Sequence, residues 1–191
     1  LSVDVTSYIR FGGSINIADI GSGGIEEFLA YKTPDGGSHL VIRNANFSVS
    51  GVVEFRADLR YEQSPAGFSL LVGGRGTLVD AYQIIVVGKV AVMNGETSLG
   101  FFVATSITIP IPPAIILTGL GGGFFLNPEA SDLQLVRQMA NLDNATGNRI
   151  NADPGSFAVL LYASATIIDP TGSLIQGRIL LTIAAAYIRF D

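Results

Sequence analysis

The chain has 191 residues, of which 48% are hydrophobic and only 14% charged, with a net charge of −5 and no cysteine. The length suits one domain with a sizeable core, and the apolar content excludes a disordered chain. The acidic balance and scattered Lys and Arg argue against a nucleic-acid partner, and the missing cysteine excludes a disulfide framework and thiolate chemistry.

No run of about 18 uncharged apolar residues reads as a membrane-spanning helix, so no transmembrane span is expected. The window 107–125 comes nearest in hydropathy, but its three prolines and four glycines make a poor membrane helix. The chain begins at Leu1 without a signal-peptide pattern, which predicts a processed product or a piece of a longer chain. The triplets at Asn46 and Asn144 match the glycosylation sequon but carry no weight without a secretory context.

In chain order, residues 3–17 alternate as strand, Gly-Gly turn and strand, with Val3, Val5, Ile9, Phe11, Ile15 and Ile17 as the apolar positions. Ile25 to Tyr31 is compatible with a strand or with one or two turns of helix, and the helix is the preferred reading. Thr33-Pro-Asp-Gly-Gly37 is a turn by its chemistry. A strand region opens at Leu40. Residues 46–61 then read as one long strand, with Phe47, Val49, Gly51, Val53, Phe55, Ala57, Leu59 and Tyr61 on one face. Ser48, Ser50, Glu54, Arg56, Asp58 and Arg60 fall on the other, so one face is apolar and one is wet.

Residues 68–72 and 76–79 are strand pieces around a bulge or kink at Gly73-Gly74. The apolar segment 82–93 and the segment 97–109 pair antiparallel through Asn94-Gly95, a strong hairpin signal. Between 107 and 128, Pro110, Pro112 and Pro113 demand an extended piece at a sheet edge or between layers. Gly119 and Gly121 to Gly123 predict a crowded backbone crossing beneath Phe124 and Phe125. One helix is expected over 131–142, capped by Ser131 and Gln134, with Leu133, Val136, Met139 and Ala140 as its apolar stripe. The segment 143–147 ends it. Strands return at 157–168 and, after a turn at 169–172, at 174–190 as a strand pair or one very long strand kinked at Gly177. Tyr187-Ile-Arg-Phe190 repeats Tyr8-Ile-Arg-Phe11, which suggests a repeat unit or two similar edge strands.

Candidate chemistry is sparse. The glycine run lacks both the dinucleotide spacing and a P-loop lysine. His39 is the only histidine, so it cannot build a histidine-rich metal site, and no nucleophile elbow accompanies it. Adjacent Glu26 and Glu27 converge poorly on a helix, so a solvated acidic turn is the preferred reading. Asp143, Asn144, Asn148, Asn151 and Asp153 form an oxygen-rich loop without the order of an EF-hand. No cofactor and no metal is expected.

The segment from Pro112 through Thr118-Gly-Leu-Gly-Gly-Gly-Phe-Phe-Leu-Asn127, followed by Leu133-Gln-Leu-Val136, resembles a motif of a family of large uncharacterised β-rich proteins of bacteria and fungi. There a Phe-x-x-Thr-Gly-x-x-x-Gly-Phe-Gly-x-Asn turn precedes a short leucine-containing helix. The resemblance spans residues 47–142, and Phe125 stands where the family tends to have glycine. It implies a domain embedded in longer chains, and it assigns no reaction and no catalytic residue.

The expected architecture is mainly β: long antiparallel strands in a curved sheet or two-layer sandwich, within one domain over 1–191, with the short helix plugging an open end or face. The preferred function is a non-catalytic structural or interaction module of a larger secreted, envelope or particle-associated assembly. The first alternative is an apolar-ligand or lipid-binding β-groove with Phe101, Phe124, Phe125 and Leu126 near its mouth. The second is a carbohydrate hydrolase using a pair among Glu26, Glu27, Asp143 and Asp153. Self-association or neighbouring domains are the expected partners, with Tyr8, Phe11, Tyr187 and Phe190 as candidate assembly edges.

Overall fold

The structure, a computed structural model, describes residues 7–18, 21–79, 82–142, 153–169, 171 and 173–191. Eleven strands form one antiparallel sheet in which each strand pairs with its neighbours in sequence. They are β1 (Ser7–Ile17), β2 (Gly21–Lys32), β3 (Ser38–Val49), β4 (Val53–Ser64), β5 (Gly67–Leu78), β6 (Tyr82–Met93), β7 (Glu96–Ile111), β8 (Ile115–Leu126), β9 (Phe157–Ile168), β10 (Leu174–Ala184) and β11 (Ile188–Phe190). Among the described residues one helix forms, α1 (Ala130–Met139), in the connection from β8 to β9. The sheet is mainly β as expected, and it is a single open layer whose edges are β1 and β11.

Several local expectations change. Residues 25–31 belong to β2 and not to a helix. The span 46–61 is two strands, because the chain turns at 50–52 with Gly51 at φ 68° and Val52 N–H donating to Val49 O at 3.0 Å. β5 runs through Gly73 and Gly74 without a bulge. Gly177 likewise keeps register, opposite Ala165, and the 174–190 region is the pair β10 and β11. The hairpin at Asn94-Gly95 forms, with φ of 52° and 82° at the two residues.

Pro110 lies in β7, but on the part of that strand beyond Thr105, the last β7 residue paired with β6. Its missing donor therefore faces no ladder on that side. Pro112 and Pro113 sit in the β7–β8 turn. The glycines of β8 do not cross the sheet; they form a central strand between β7 and β9.

Helix α1 starts one residue early and ends three residues early. Its cap is Glu129 rather than Ser131: the Glu129 N–H donates to the Asp132 carboxylate at 2.7 Å. At the other end Asn141 takes φ 57°, Leu142 N–H donates to Arg137 O at 2.9 Å, and Asn141 N–H to Gln138 O at 3.0 Å. That left-handed cap closes the helix before residue 143. Val3, Val5, the sequon at Asn144, the segment 143–147 and most of the oxygen-rich loop lie outside the described residues, as do Pro170 and Gly172 of the 169–172 turn.

Candidate functional site

The register sorts every strand residue onto one of two faces. Val87, Phe102, Phe125, Leu160 and Leu180 share a face with α1 and are fully buried with Leu133 and Val136 of the helix. Room for the helix comes from small residues. A Cβ on Gly73 would stand 3.0 Å from Met139 Cε and 3.1 Å from Leu135 Cδ2, so the helix rests where β5 has no side chain. A Cβ on Gly100 would run into the Phe125 ring. The glycine-rich composition thus serves close approach on the helix face.

One charged contact fixes the helix. Lys89 of β6 is 3% exposed and its ammonium donates to Asp132 at 2.7 Å and to Glu129 at 2.9 Å. An ammonium so deeply buried is tolerable only when paired. Desolvation pushes the Asp132 carboxyl above its ordinary value, against the pull of Lys89 and of the Glu129 N–H. The hydrogen bond from Lys89 holds Glu129 below its ordinary value, against its partial desolvation. Sequence reasoning missed this anchor. Its signal was present: Lys89 is the one charge within the apolar strand 82–93.

Beyond the helix the same face becomes charged. Glu27 is bracketed by Arg10 at 2.9 Å and Arg43 at 3.0 Å. Asn44, at φ 51°, donates its backbone N–H to Asp58 at 2.7 Å and its amide to Glu26 at 2.7 Å. These groups gather where the register shifts between Phe11 and Gly13 and between Ile42 and Ala45. Two of the hollows on this face lie near the helix. One of about 390 Å³ lies beside β3 and β4, lined by Arg43, Asp58, Arg60, Gln134 and Gln138 among others. Another of about 530 Å³ includes Gln83, Ser106, Tyr162, Thr166 and Arg178.

The opposite face is of another kind. Phe47 pairs with Phe55, Leu59 with Val72, Val86 with Val103, Phe101 with Phe124, and Leu120 with Ala163. Gly74 and Gly76 lie under the Phe55 ring, where a Cβ on either would stand 2.8 Å from it. Among the described residues Lys32 is, by register, the only charged strand residue on this face, and it is the last residue of β2. Nothing among the described residues covers it. Among the described residues thirty-three large apolar side chains are exposed, most of them on this face, against nine buried in the core. That exceeds what a water-soluble monomer normally leaves bare.

The structure separates the predicted site residues. Phe101, Phe124 and Leu126 stand together on the bare face, 58%, 43% and 40% exposed, whereas Phe125 points to the helix face and is fully buried. Phe125 is therefore removed from the apolar surface, because alternation along β8 sends it to the other side. Tyr8 and Phe11 lie on edge strand β1, Phe190 on edge strand β11, and Tyr187 just before β11. Of the four candidate carboxylates, Glu26 and Glu27 are committed to Asn44 and to two arginines, Asp153 accepts from the Gly155 N–H at 2.9 Å in a turn, and Asp143 is outside the described residues. His39 stacks on Tyr31 with ring centroids 4.6 Å apart. Among the described residues no three His, Asp or Glu cluster as metal ligands do, and no helix is long and apolar enough to cross a membrane. Comparison of the chain with family profiles, with curated proteins and with solved structures finds no match, so the resemblance to the β-rich family rests on its motif residues alone.

Proposed function

We propose that this chain is a non-catalytic structural module of an envelope assembly whose bare face is covered by lipid hydrocarbon: a wall segment of a membrane β-barrel. The observation that carries this reading is the sorting of charge. Ten strands of 11 to 16 residues put their mid-strand charges on the helix face and isoleucine, valine, leucine, phenylalanine and glycine on the other. A protein partner would tolerate, and usually carries, polar groups and charges around a contact patch. Hydrocarbon tolerates neither, and a charge there costs about 2–4 kcal/mol at the bilayer midplane.

The dimensions agree. Twelve residues at about 3.3 Å each, tilted as barrel strands are by about 40°, rise about 30 Å, enough for the apolar band of about 25 Å. The two outward tyrosines of the strands, Tyr61 and Tyr82, lie toward opposite ends of the sheet, where membrane–water interfaces favour such rings. The helix face, with its ion pairs and two hollows, would face water or a plugged lumen.

The chain has no tryptophan, so a single introduced one reports its own surroundings. Phe101→Trp and Arg178→Trp place the probe on the bare and the helix face. In vesicles of phosphatidylcholine with brominated acyl chains, Phe101→Trp should be quenched and Arg178→Trp should not. Equal quenching of both, or a protein that stays in the lipid-free fraction as a dispersed species without detergent, overturns the proposal. The second outcome would mean that another protein surface or a second copy covers the face.

A further inference from the structure

Two edges of the sheet carry the same four residues. Tyr8-Ile9-Arg10-Phe11 opens β1, and Tyr187-Ile188-Arg189-Phe190 leads into and forms β11. Both copies put isoleucine and phenylalanine on the bare face and arginine on the helix face, since Arg10 lies opposite Leu29 and bonds Glu27, while Arg189 lies opposite the buried Thr182. Both strands also run in the same direction relative to the meander. The edge of β10 already accepts this tetrapeptide: Ile183 pairs with Ile188, Thr182 with Arg189 and Leu181 with Phe190. Yet β11 covers only that end of β10. Among the described residues no strand pairs with β10 on this side between Leu174 and Ile179, and Ile175 and Ile179 are 55% and 56% exposed.

We infer that a second copy of the chain adds its β1 to this edge of β10 in the place of β11, continuing the sheet from one copy into the next. The register follows from the shared tetrapeptide, with Ile9 of the second copy opposite Ile183, Arg10 opposite Thr182 and Phe11 opposite Leu181. Carried along β1, it sets Gly13 against Ile179 and Ile15 against Gly177 on the bare face. On the helix face it sets Ser14 against Arg178 and Asn16 against Gln176. Every one of these pairs keeps apolar with apolar and polar with polar, and on the bare face Ile179 and Ile15 each meet a glycine. A one-residue slip would reverse all of these.

The backbone agrees as well. Ala184 N–H donates to Tyr187 O, and Leu180 and Asp191 exchange both of their bonds, so residues 187 and 191 turn their backbone groups to β10. A strand of the same direction and facing turns residues 8 and 12 the same way, which on β1 is the open edge. β1 is the longer strand, at 11 residues against three, so it satisfies groups of β10 that β11 leaves uncovered. Releasing β11 gives up the Asp191 bond to Arg137 at 2.8 Å. The contact is head-to-tail, so copies close into a ring or extend as a filament. It stands apart from the question of what covers the bare face, although a sheet in lipid needs its edges paired.

The absence of cysteine makes the test clean. A Cβ at Gly13 meets nothing within 4 Å and Ile179 is exposed, so Gly13→Cys and Ile179→Cys both leave the fold intact. One chain carries a size tag, the two are mixed in detergent micelles, oxidised and run without reductant. A disulfide joining the tagged and untagged chains should dominate over either homodimer, and over the product when Gly13→Cys meets Ile115→Cys on the central strand β8. Removing residues 187–191 from the Ile179→Cys chain should raise its yield. Mixed disulfide no more abundant than those controls overturns the inference, as does a doubly substituted chain that closes on itself as a monomer. Neither outcome bears on the acyl-chain quenching of Phe101→Trp, so the two proposals fail separately.

Discussion

The two halves of the helix face solve one problem in opposite ways. From β5 to β10 the strands offer glycine and alanine, and α1 with its leucine, valine and methionine fills the space. From β1 to β4 there is no helix, and the face is filled by Arg10, Glu27, Arg43, Asp58 and their partners. In the first half one ion pair, Lys89 with Asp132, is buried. In the second the cations stay wet, with Arg10 and Arg43 side chains 66% and 63% exposed. The difference teaches that charge on this face is anchoring only where the helix excludes water.

The sharpest way to break that comparison is to remove one cation from each half. Lys89→Ala leaves the Asp132 carboxylate buried without its partner, and should cost about 3–5 kcal/mol of stability. Arg43→Ala removes an exposed partner of a carboxylate that keeps Arg10, and should cost less than about 1 kcal/mol. Urea unfolding followed by circular dichroism measures both. Similar losses would mean that the helix is not held by the Lys89 contact.

A smaller effect tests the fit of helix to sheet. Gly73→Val puts branches where Met139 and Leu135 already stand at about contact distance, and should cost about 1–3 kcal/mol as the helix shifts outward. Gly88→Ala, on the bare face of the neighbouring strand β6 with nothing within 4 Å of its Cβ, should leave the unfolding midpoint unchanged or slightly raised. Equal tolerance at both positions would place the helix elsewhere.

The strands were legible in the sequence because alternation survives wherever nothing slips. It even survived where it misled. The turn at 50–52 has three residues, so Val49 pairs with Val53 and the apolar parity runs through the hairpin unbroken. That is why 46–61 reads as one strand. In β2 the reverse happens: the irregularity at Glu26 and Glu27 separates the outward Ile25 and Phe28 by three residues, the spacing of a helix. Of the candidate site, Phe101, Phe124 and Leu126 were readable as an apolar surface, and the edge residues as edges. Which of two adjacent phenylalanines is buried was not, because only the helix, arriving from a distant part of the chain, decides which face closes.

The smallest expected effect concerns Glu129, the outer partner of Lys89. Its folded-state pKa is lowered from 4.5 by the hydrogen bond from Lys89, so its contribution is present above that ordinary value and is lost as pH falls through the lowered one. Asp132 runs the other way. Burial raises it above 3.8, so the part it contributes is full below that value and declines as pH rises through the raised one. The stability of the wild-type chain minus that of Glu129→Gln isolates the first of these. It should lie within the about 0.2–1 kcal/mol of exposed pairs at neutral pH, since Glu129 keeps 69% of its side chain in solvent, and should shrink towards zero as pH falls below the ordinary value of 4.5 and through the lowered one. A difference that grows on acidification would assign the acid response to Asp132 and leave Glu129 as a bystander. The buried half of the molecule would then hold its helix through one carboxylate alone.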